Sequence, residues 1–221
     1  EIAGALSGSD EREAREKRRW EALVEIVEVV ILAIVAVATA WSGYQAARWD
    51  GRQAFLYGAS STLRFAADAA ETRGAEQQLQ DITTFNTWIQ AHQDRDDQLA
   101  DLYVDRFSPE YRVAFHAWLA TRPFANPDAP PGPIFMPEYR NPELERADAL
   151  NEHAQETFEA GTAARETADR YIRHTVLFAT VLFLVAIAQR FRFRGVRIAA
   201  SVVAGGLMIV ALNGVVSLPR L

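Results

Sequence analysis

Hydrophobic residues are concentrated in three blocks of the 221-residue chain. The blocks cover residues 22–42, 174–189 and 196–217. Each is close to the ~20 residues that a helix needs to cross the hydrocarbon core of a bilayer. Trp41 and Tyr44 close the first block as interfacial aromatic residues do, whereas a secretory signal would end in small residues. The pattern predicts transmembrane helices over residues 20–44, 174–189 and 198–217. The alternative is a soluble protein with very apolar core helices.

The sequence between the first and second blocks also has a helical pattern. Ile82, Phe85 and Ile89 recur at steps of three and four residues, which favours amphipathic helix. Ser108 precedes Pro109, and a capping residue directly before proline is typical of a helix start. We therefore predict an all-α fold with three transmembrane helices, in which residues 45–173 form an antiparallel helical hairpin outside the membrane.

A proline-rich loop, residues 123–142, separates the two arms of this predicted hairpin. Its apolar residues, such as Ile134 and Phe135, lead us to expect an ordered cap that packs on the helices. Asn141-Pro142 at the end of the loop repeats the cap–proline signal. A helix should therefore run from about residue 142 into the second block.

Charge is distributed unevenly along the chain. Residues 45–173 hold 21 acidic residues against 13 arginines, whereas Lys17, Arg18 and Arg19 precede the first block. Four arginines lie in the link between the second and third blocks, at positions 190, 192, 194 and 197. Because cytoplasmic loops are enriched in Lys and Arg, we expect the segment 1–19 and the link 190–197 in the cytoplasm. Residues 45–173 and the tail 218–221 are then extracytoplasmic.

The first block carries a stripe of residues, with glutamates at its start, on one side of the predicted helix. Its members are four and three residues apart, so they stay within roughly 100° of the helix circumference. They are Glu21, Glu25, Glu28, Leu32, Val35, Thr39 and Ser42. Acidic residues in hydrocarbon are costly, and those that occur there are usually functional.

Two tryptophans set the depth of these glutamates. Trp20 and Trp41 are 21 residues apart, about 31 Å of helix, which matches the hydrocarbon thickness. Glu28 would then lie about 12 Å inside the membrane. We expect the arginines of the link 190–197 to reach Glu21 and at most Glu25, but hardly Glu28, so that water or ions must accompany the deepest carboxylate.

These features predict a homo-oligomeric cation channel, a ring of about four to six copies such as a pentamer, with the stripe facing the axis. The roles along the stripe are selectivity rings at Glu21, Glu25 and Glu28, a hydrophobic constriction at Leu32 and Val35, and an outer lining at Thr39 and Ser42. Glu25 and Glu28 would hold the permeant cation transiently. Ca²⁺ is favoured because clustered carboxylate oxygens suit hard divalent ions.

Three other interpretations stay open. Glu21 and Glu25 could belong to the inner interface, with only Glu28 buried, and such glutamates would pair with juxtamembrane arginines and fix the packing of subunits. They could serve a proton- or ion-coupled subunit that works with another protein. The chain could also be a membrane-anchored scaffold or sensor whose extracytoplasmic hairpin binds a partner.

Other classes of chemistry are not indicated. The chain has no cysteine, and its four histidines are scattered. The acidic stretch 92–101 resembles a calcium loop only in its acidity, since Leu99 stands where such a loop needs glycine. No phosphate-binding loop or catalytic set is identifiable. We predict no enzyme activity, cofactor or small-molecule substrate, and no nucleic-acid binding, because the arginines flank membrane segments.

The stretch "AWSGYQAARWDGRQA" follows the first block, and a long helical insert and a two-span hairpin come after it. This layout resembles a group of bacterial three-span membrane proteins with a long helical insert after the first span. The resemblance implies a multi-pass protein of the bacterial inner membrane and no particular activity. The arginine- and alanine-rich composition also favours a bacterial source.

Overall fold

The computed structural model describes the backbone of residues 2–190 and 193–221, and the side chains of residues 15, 18–20, 22–190, 193 and 195–221. In this part of the chain every regular element is a helix. The elements are α1 (Ile2–Gln93), α2 (Asp97–Asp105), α3 (Pro109–Ala120), a short 3-10 helix (Pro133–Phe135), α4 (Pro142–Ala188) and α5 (Arg194–Val216). The prediction of an all-α fold is confirmed.

Three of these helices are long and apolar enough to cross a membrane. The apolar segments lie within Arg18–Gln93, Pro142–Ala188 and Gly195–Val216, and they correspond to the three hydrophobic blocks of the sequence. Their exposed side chains include Val37, Phe183 and Val202. A helix with apolar residues around most of its circumference suits a membrane span rather than a water-exposed surface.

Both predicted helix starts are observed. The Ser108 hydroxyl accepts a hydrogen bond of 3.2 Å from the Tyr111 N–H, with Pro109 in the first turn of α3. The Asn141 side-chain oxygen accepts a hydrogen bond of 3.3 Å from the Leu144 N–H at the start of α4. Each cap gives an otherwise unpaired N–H of the first turn a partner.

The link between α4 and α5 is shorter than the predicted segment 190–197. Helix α5 begins at Arg194, and the Arg197 N–H donates to the Phe193 carbonyl over 3.2 Å. The sequence-based boundary follows the last arginine because charges rarely enter a membrane helix. Arg197 is nevertheless part of the helix, because its side chain forms an ion pair with Glu28 of α1.

The chain forms two compact units. One comprises Glu1–Phe55 with Ala160–Leu221, and the other comprises Leu56–Glu159; we refer to them as the membrane unit and the acidic unit. The core of the membrane unit is aliphatic around Tyr171 and Phe178, and the core of the acidic unit is an aromatic cluster that includes Phe85, Trp88 and Trp118.

Contacts between α1 and α4 hold the acidic unit together. The Ser60 hydroxyl donates to the Ala154 carbonyl over 2.8 Å, and the Asn141 amide donates to the Gly74 carbonyl over 2.8 Å. Later residues of α1 thus meet earlier residues of α4. The proline-rich segment packs on the aromatic cluster, where the Trp118 indole donates to the Pro130 carbonyl over 2.7 Å.

Candidate functional site

The deepest of the predicted pore glutamates forms an ion pair inside the membrane unit with Arg197, whose side chain is 29% exposed. Only 1% of Glu28 is exposed. The Arg197 guanidinium donates to both oxygens of its carboxylate, from Nε over 3.0 Å and from a terminal nitrogen over 2.7 Å. The Ser201 hydroxyl adds a third hydrogen bond of 3.2 Å. This bidentate geometry is the strong form of the Arg–carboxylate interaction.

Helix α5 positions both partners of Glu28. Arg197 and Ser201 are four residues apart in the first turns of α5, so their side chains lie on the same face of the helix. A buried ionised carboxylate such as that of Glu28 is tolerated only when it is paired and hydrogen-bonded. The three hydrogen bonds to Glu28 meet that condition within a single chain.

The expectation that the arginines of the link hardly reach Glu28 is therefore wrong. It treated Arg197 as the end of a loop at the membrane boundary, whereas the residue lies within α5 next to α1. A long, flexible arginine side chain can extend along a neighbouring helix to a deeper partner. The need for water or ions beside Glu28 disappears with this correction.

The rest of the stripe also packs largely within the subunit. Val35 and Ser42 are buried, and Leu32 is half-buried against the core that α1 forms with α4 and α5. The hydroxyl of half-buried Thr39 donates to the Val35 carbonyl over 2.7 Å. The orientation expected for this stripe, open toward an oligomer axis, is wrong for Val35, Ser42 and Glu28, because the chain's own helices cover them.

The two remaining glutamates differ from Glu28. Glu25 is exposed on α1, one turn before buried Glu28. The side chain of Glu21 lies outside the described residues. In the described part of the chain, no group of three or more acidic or histidine side chains could hold a metal ion. Transient cation binding by Glu25 and Glu28 stays a prediction.

The acidic unit contains a buried carboxylate that the sequence analysis missed. Asp81 of α1 is buried and accepts hydrogen bonds from the hydroxyls of Ser108, over 3.4 Å, and Tyr139, over 3.3 Å. The hydroxyl of Tyr111, also buried, has no hydrogen-bond partner among the described residues. No spacing or motif distinguishes Asp81 from the many solvated acids of this unit, since only the packing of three segments buries it.

Burial raises the pKa of Asp81, an effect that the nearby Glu110 carboxylate reinforces and the hydrogen bonds from Tyr139 and Ser108 partly oppose. The pKa of Tyr139 is raised to about 12, mainly by burial and then by the charge of Asp81. Burial likewise raises the pKa of Tyr111. Asp81 is thus an acid held among neutral hydroxyls without a cationic partner in the described structure.

These features define a class: an all-helical protein with three helices able to span a membrane, a buried carboxylate that is ion-paired between two of them, and an acidic unit. Comparison with protein families, curated proteins and solved structures finds no match. The class therefore rests on the chain's own geometry, and the resemblance to bacterial three-span proteins stays a prediction.

Proposed function

We propose that this chain is a membrane-anchored binding protein, in which the three apolar helices are the anchor and the acidic unit recognises a protein partner outside the membrane. The packing of the membrane unit supports the first part. Glu28, Val35 and Ser42 contact the chain's own helices, so these residues serve the cohesion of an anchor. The predicted extracytoplasmic helical hairpin belongs to this proposal.

The composition of the acidic unit supports a position in water. Residues 56–159 hold 18 acidic and eight basic residues, a formal net charge of −10. A segment with that charge is excluded from hydrocarbon, and its field attracts basic molecules. A partner with a basic surface would therefore be favoured in affinity and in association rate.

The main support for a protein partner is an exposed face of α1 with large apolar side chains. Phe65 and Leu79 are 75% and 65% exposed. A large apolar side chain that stays in water adds no hydrophobic stabilisation to the isolated chain. Thr72 and Glu76 lie between them at helical spacing, with Asp68 on the same side. We call the residues Phe65, Asp68, Thr72, Glu76 and Leu79 the docking face. It offers two apolar anchors and two carboxylates to a partner helix or loop with apolar and basic side chains.

Site-specific photo-crosslinking in cells tests the docking face. A photoreactive phenylalanine at position 65 or 79 should form an adduct with one defined protein, and the same group at exposed Gln80 should not. The captured protein is then purified for equilibrium binding to the full chain. The double variant Phe65→Ser/Leu79→Ser should weaken this binding by at least about tenfold, because two apolar anchors are lost.

Phe55→Ser is the matched control, since Phe55 is also 75% exposed on α1 but lies in the membrane unit. Binding by this variant should equal that of the wild type and should weaken as salt increases. Equal affinity of the double variant and the wild type, or adducts with lipid alone, would rule out the docking face.

The homo-oligomeric cation channel is the second candidate. The observation in its favour is Glu25, an acidic side chain left exposed at the inner end of the first apolar segment. Flux of Ca²⁺, Na⁺ and K⁺ into proteoliposomes tests it. A channel of this kind would lose selectivity in Glu25→Gln, whereas an anchor would show no flux with or without the substitution.

A further inference from the structure

An apolar groove lies between α1 and α5 in the membrane unit, with a volume of about 520 Å³. Its walls include Ile34, Val37, Trp41, Leu212, Val216 and Arg220. Along α1 it extends from Ala33 to Trp41, about 12 Å of helix, close to the ~15 Å of hydrocarbon in one leaflet. The groove is apolar throughout its length except at the arginine.

The chain holds this arginine firmly at the end of the groove. The indole of Trp49 and the hydroxyl of Tyr171 each donate to the Pro219 carbonyl over 3.1 Å. The Leu221 N–H donates to the side-chain oxygen of buried Gln45 over 3.2 Å. Hydrogen bonds therefore hold the residue before Arg220 and the residue after it. The side chain of Arg220 itself is exposed and forms no ion pair with described residues.

We infer that this groove binds an anionic phospholipid, with an acyl chain between α1 and α5 and the phosphate against Arg220. Charge complementarity favours this occupant, because a guanidinium at the membrane boundary suits a phosphate. Trp41 lines the same groove and is the kind of residue that marks the headgroup level.

A second copy of the chain fits this groove less well. Residues 29–44 and 195–221, which provide both walls, contain no acidic residue. Two copies that met through this face would therefore leave each Arg220 facing apolar side chains or the other arginine. A lipid phosphate instead neutralises the arginine, and the acyl chain of the lipid packs against the apolar walls of the groove.

Native mass spectrometry of the full chain in detergent tests the site, with phosphatidylglycerol and phosphatidylcholine of identical acyl chains as probes. The wild type should retain phosphatidylglycerol preferentially. Arg220→Gln should lower its occupancy about fivefold, the effect of roughly one arginine–lipid contact. The matched control is Arg173→Gln, an exposed arginine outside the groove, which should leave the preference unchanged.

A second pair of variants tests the apolar walls. Ala33→Phe fills the groove and should abolish retention of both lipids, whereas Ala36→Phe, exposed on α1 outside the groove, should not. Val216→Trp blocks the other wall and serves if Ala33→Phe fails to fold. Unchanged lipid preference in Arg220→Gln, or retention by both filled variants, would overturn the inference. So would a shift from oligomer to monomer in the filled variants without lipid loss, which would assign the groove to contacts between copies.

Discussion

At the scale of single residues, Glu28 shows how a carboxylate persists within a membrane helix. Its charge is balanced by Arg197 and its oxygens are hydrogen-bonded by Arg197 and Ser201. The pair is not in itself strong evidence for added stability, because both groups lose hydration. We expect the pair to favour a single packing register of α1 against α5, the one in which both charges are satisfied.

Replacement of one member of this pair should lower the stability of the chain much more than replacement of both. Arg197→Gln leaves a buried carboxylate without its partner, which costs about 3–5 kcal/mol and should lower the thermal midpoint in detergent by roughly 10 °C. The double variant Glu28→Gln/Arg197→Gln should recover most of this loss. Circular dichroism measures both, with Glu25→Gln as the exposed control. Equal loss in the single and double variants would exclude the pairing.

Asp81 should make the stability of the acidic unit dependent on pH. Because its pKa is raised in the folded chain, the folded state binds a proton more tightly than the unfolded state. The free energy of unfolding should therefore rise as pH falls through this raised pKa toward the ordinary value of ~3.9. At neutral pH Asp81→Asn should be the more stable chain, and its advantage should vanish at about pH 4.

Thermal unfolding followed by tryptophan fluorescence measures this effect, since Trp88 and Trp118 belong to the core of the acidic unit. Asp68→Asn is the control, because Asp68 is exposed on the same helix. A stability difference between Asp81→Asn and the wild type that does not change with pH would contradict the assignment.

At the scale of the elements, close approach determines how α4 and α5 pair. A Cβ on Gly214 of α5 would overlap the ring of His174 on α4. The ring is held there by a hydrogen bond of 2.7 Å from its Nδ1 to the Arg170 carbonyl. Small residues at such crossings let helices approach closely in a membrane, and Gly214 has this role.

Gly214→Ala should destabilise the chain by about 1–3 kcal/mol, the usual cost of overpacking. A thermal melt in detergent measures it. Gly205→Ala, on the same helix with open space around the new Cβ, should be neutral or slightly stabilising. Addition of His174→Ala should restore most of the stability of Gly214→Ala. No loss in Gly214→Ala would show that the two helices can separate without cost.

At the scale of the whole molecule, the distribution of charge predicts the orientation of the chain. The acidic unit should be extracytoplasmic and the arginine-rich link cytoplasmic. Because the sequence has no cysteine, single cysteines give an unambiguous test. Ser61→Cys in the acidic unit should react with an impermeant maleimide on intact spheroplasts, and Gly195→Cys should react only after permeabilisation. The opposite labelling pattern would reverse the proposed topology.

Much of the fold could be predicted from local sequence. The apolar blocks predict the membrane-spanning helices because hydrocarbon thickness fixes their length. Ser108 and Asn141 predict helix starts because capping depends on residues a few positions apart. The error at Arg197 arises because the sequence shows where a charge lies along the chain. It does not show how far the side chain extends toward another helix.

By itself the sequence determined the helical class, the three apolar segments and the polarity of the acidic unit, since these follow from periodicity, length and composition. Only the tertiary structure decided that Glu28 faces Arg197, that Asp81 is buried, and that Arg220 lies at the end of an apolar groove. Each of these depends on contacts between residues distant in sequence. Local patterns carry no information about such contacts, because burial and charge pairing arise only when helices pack.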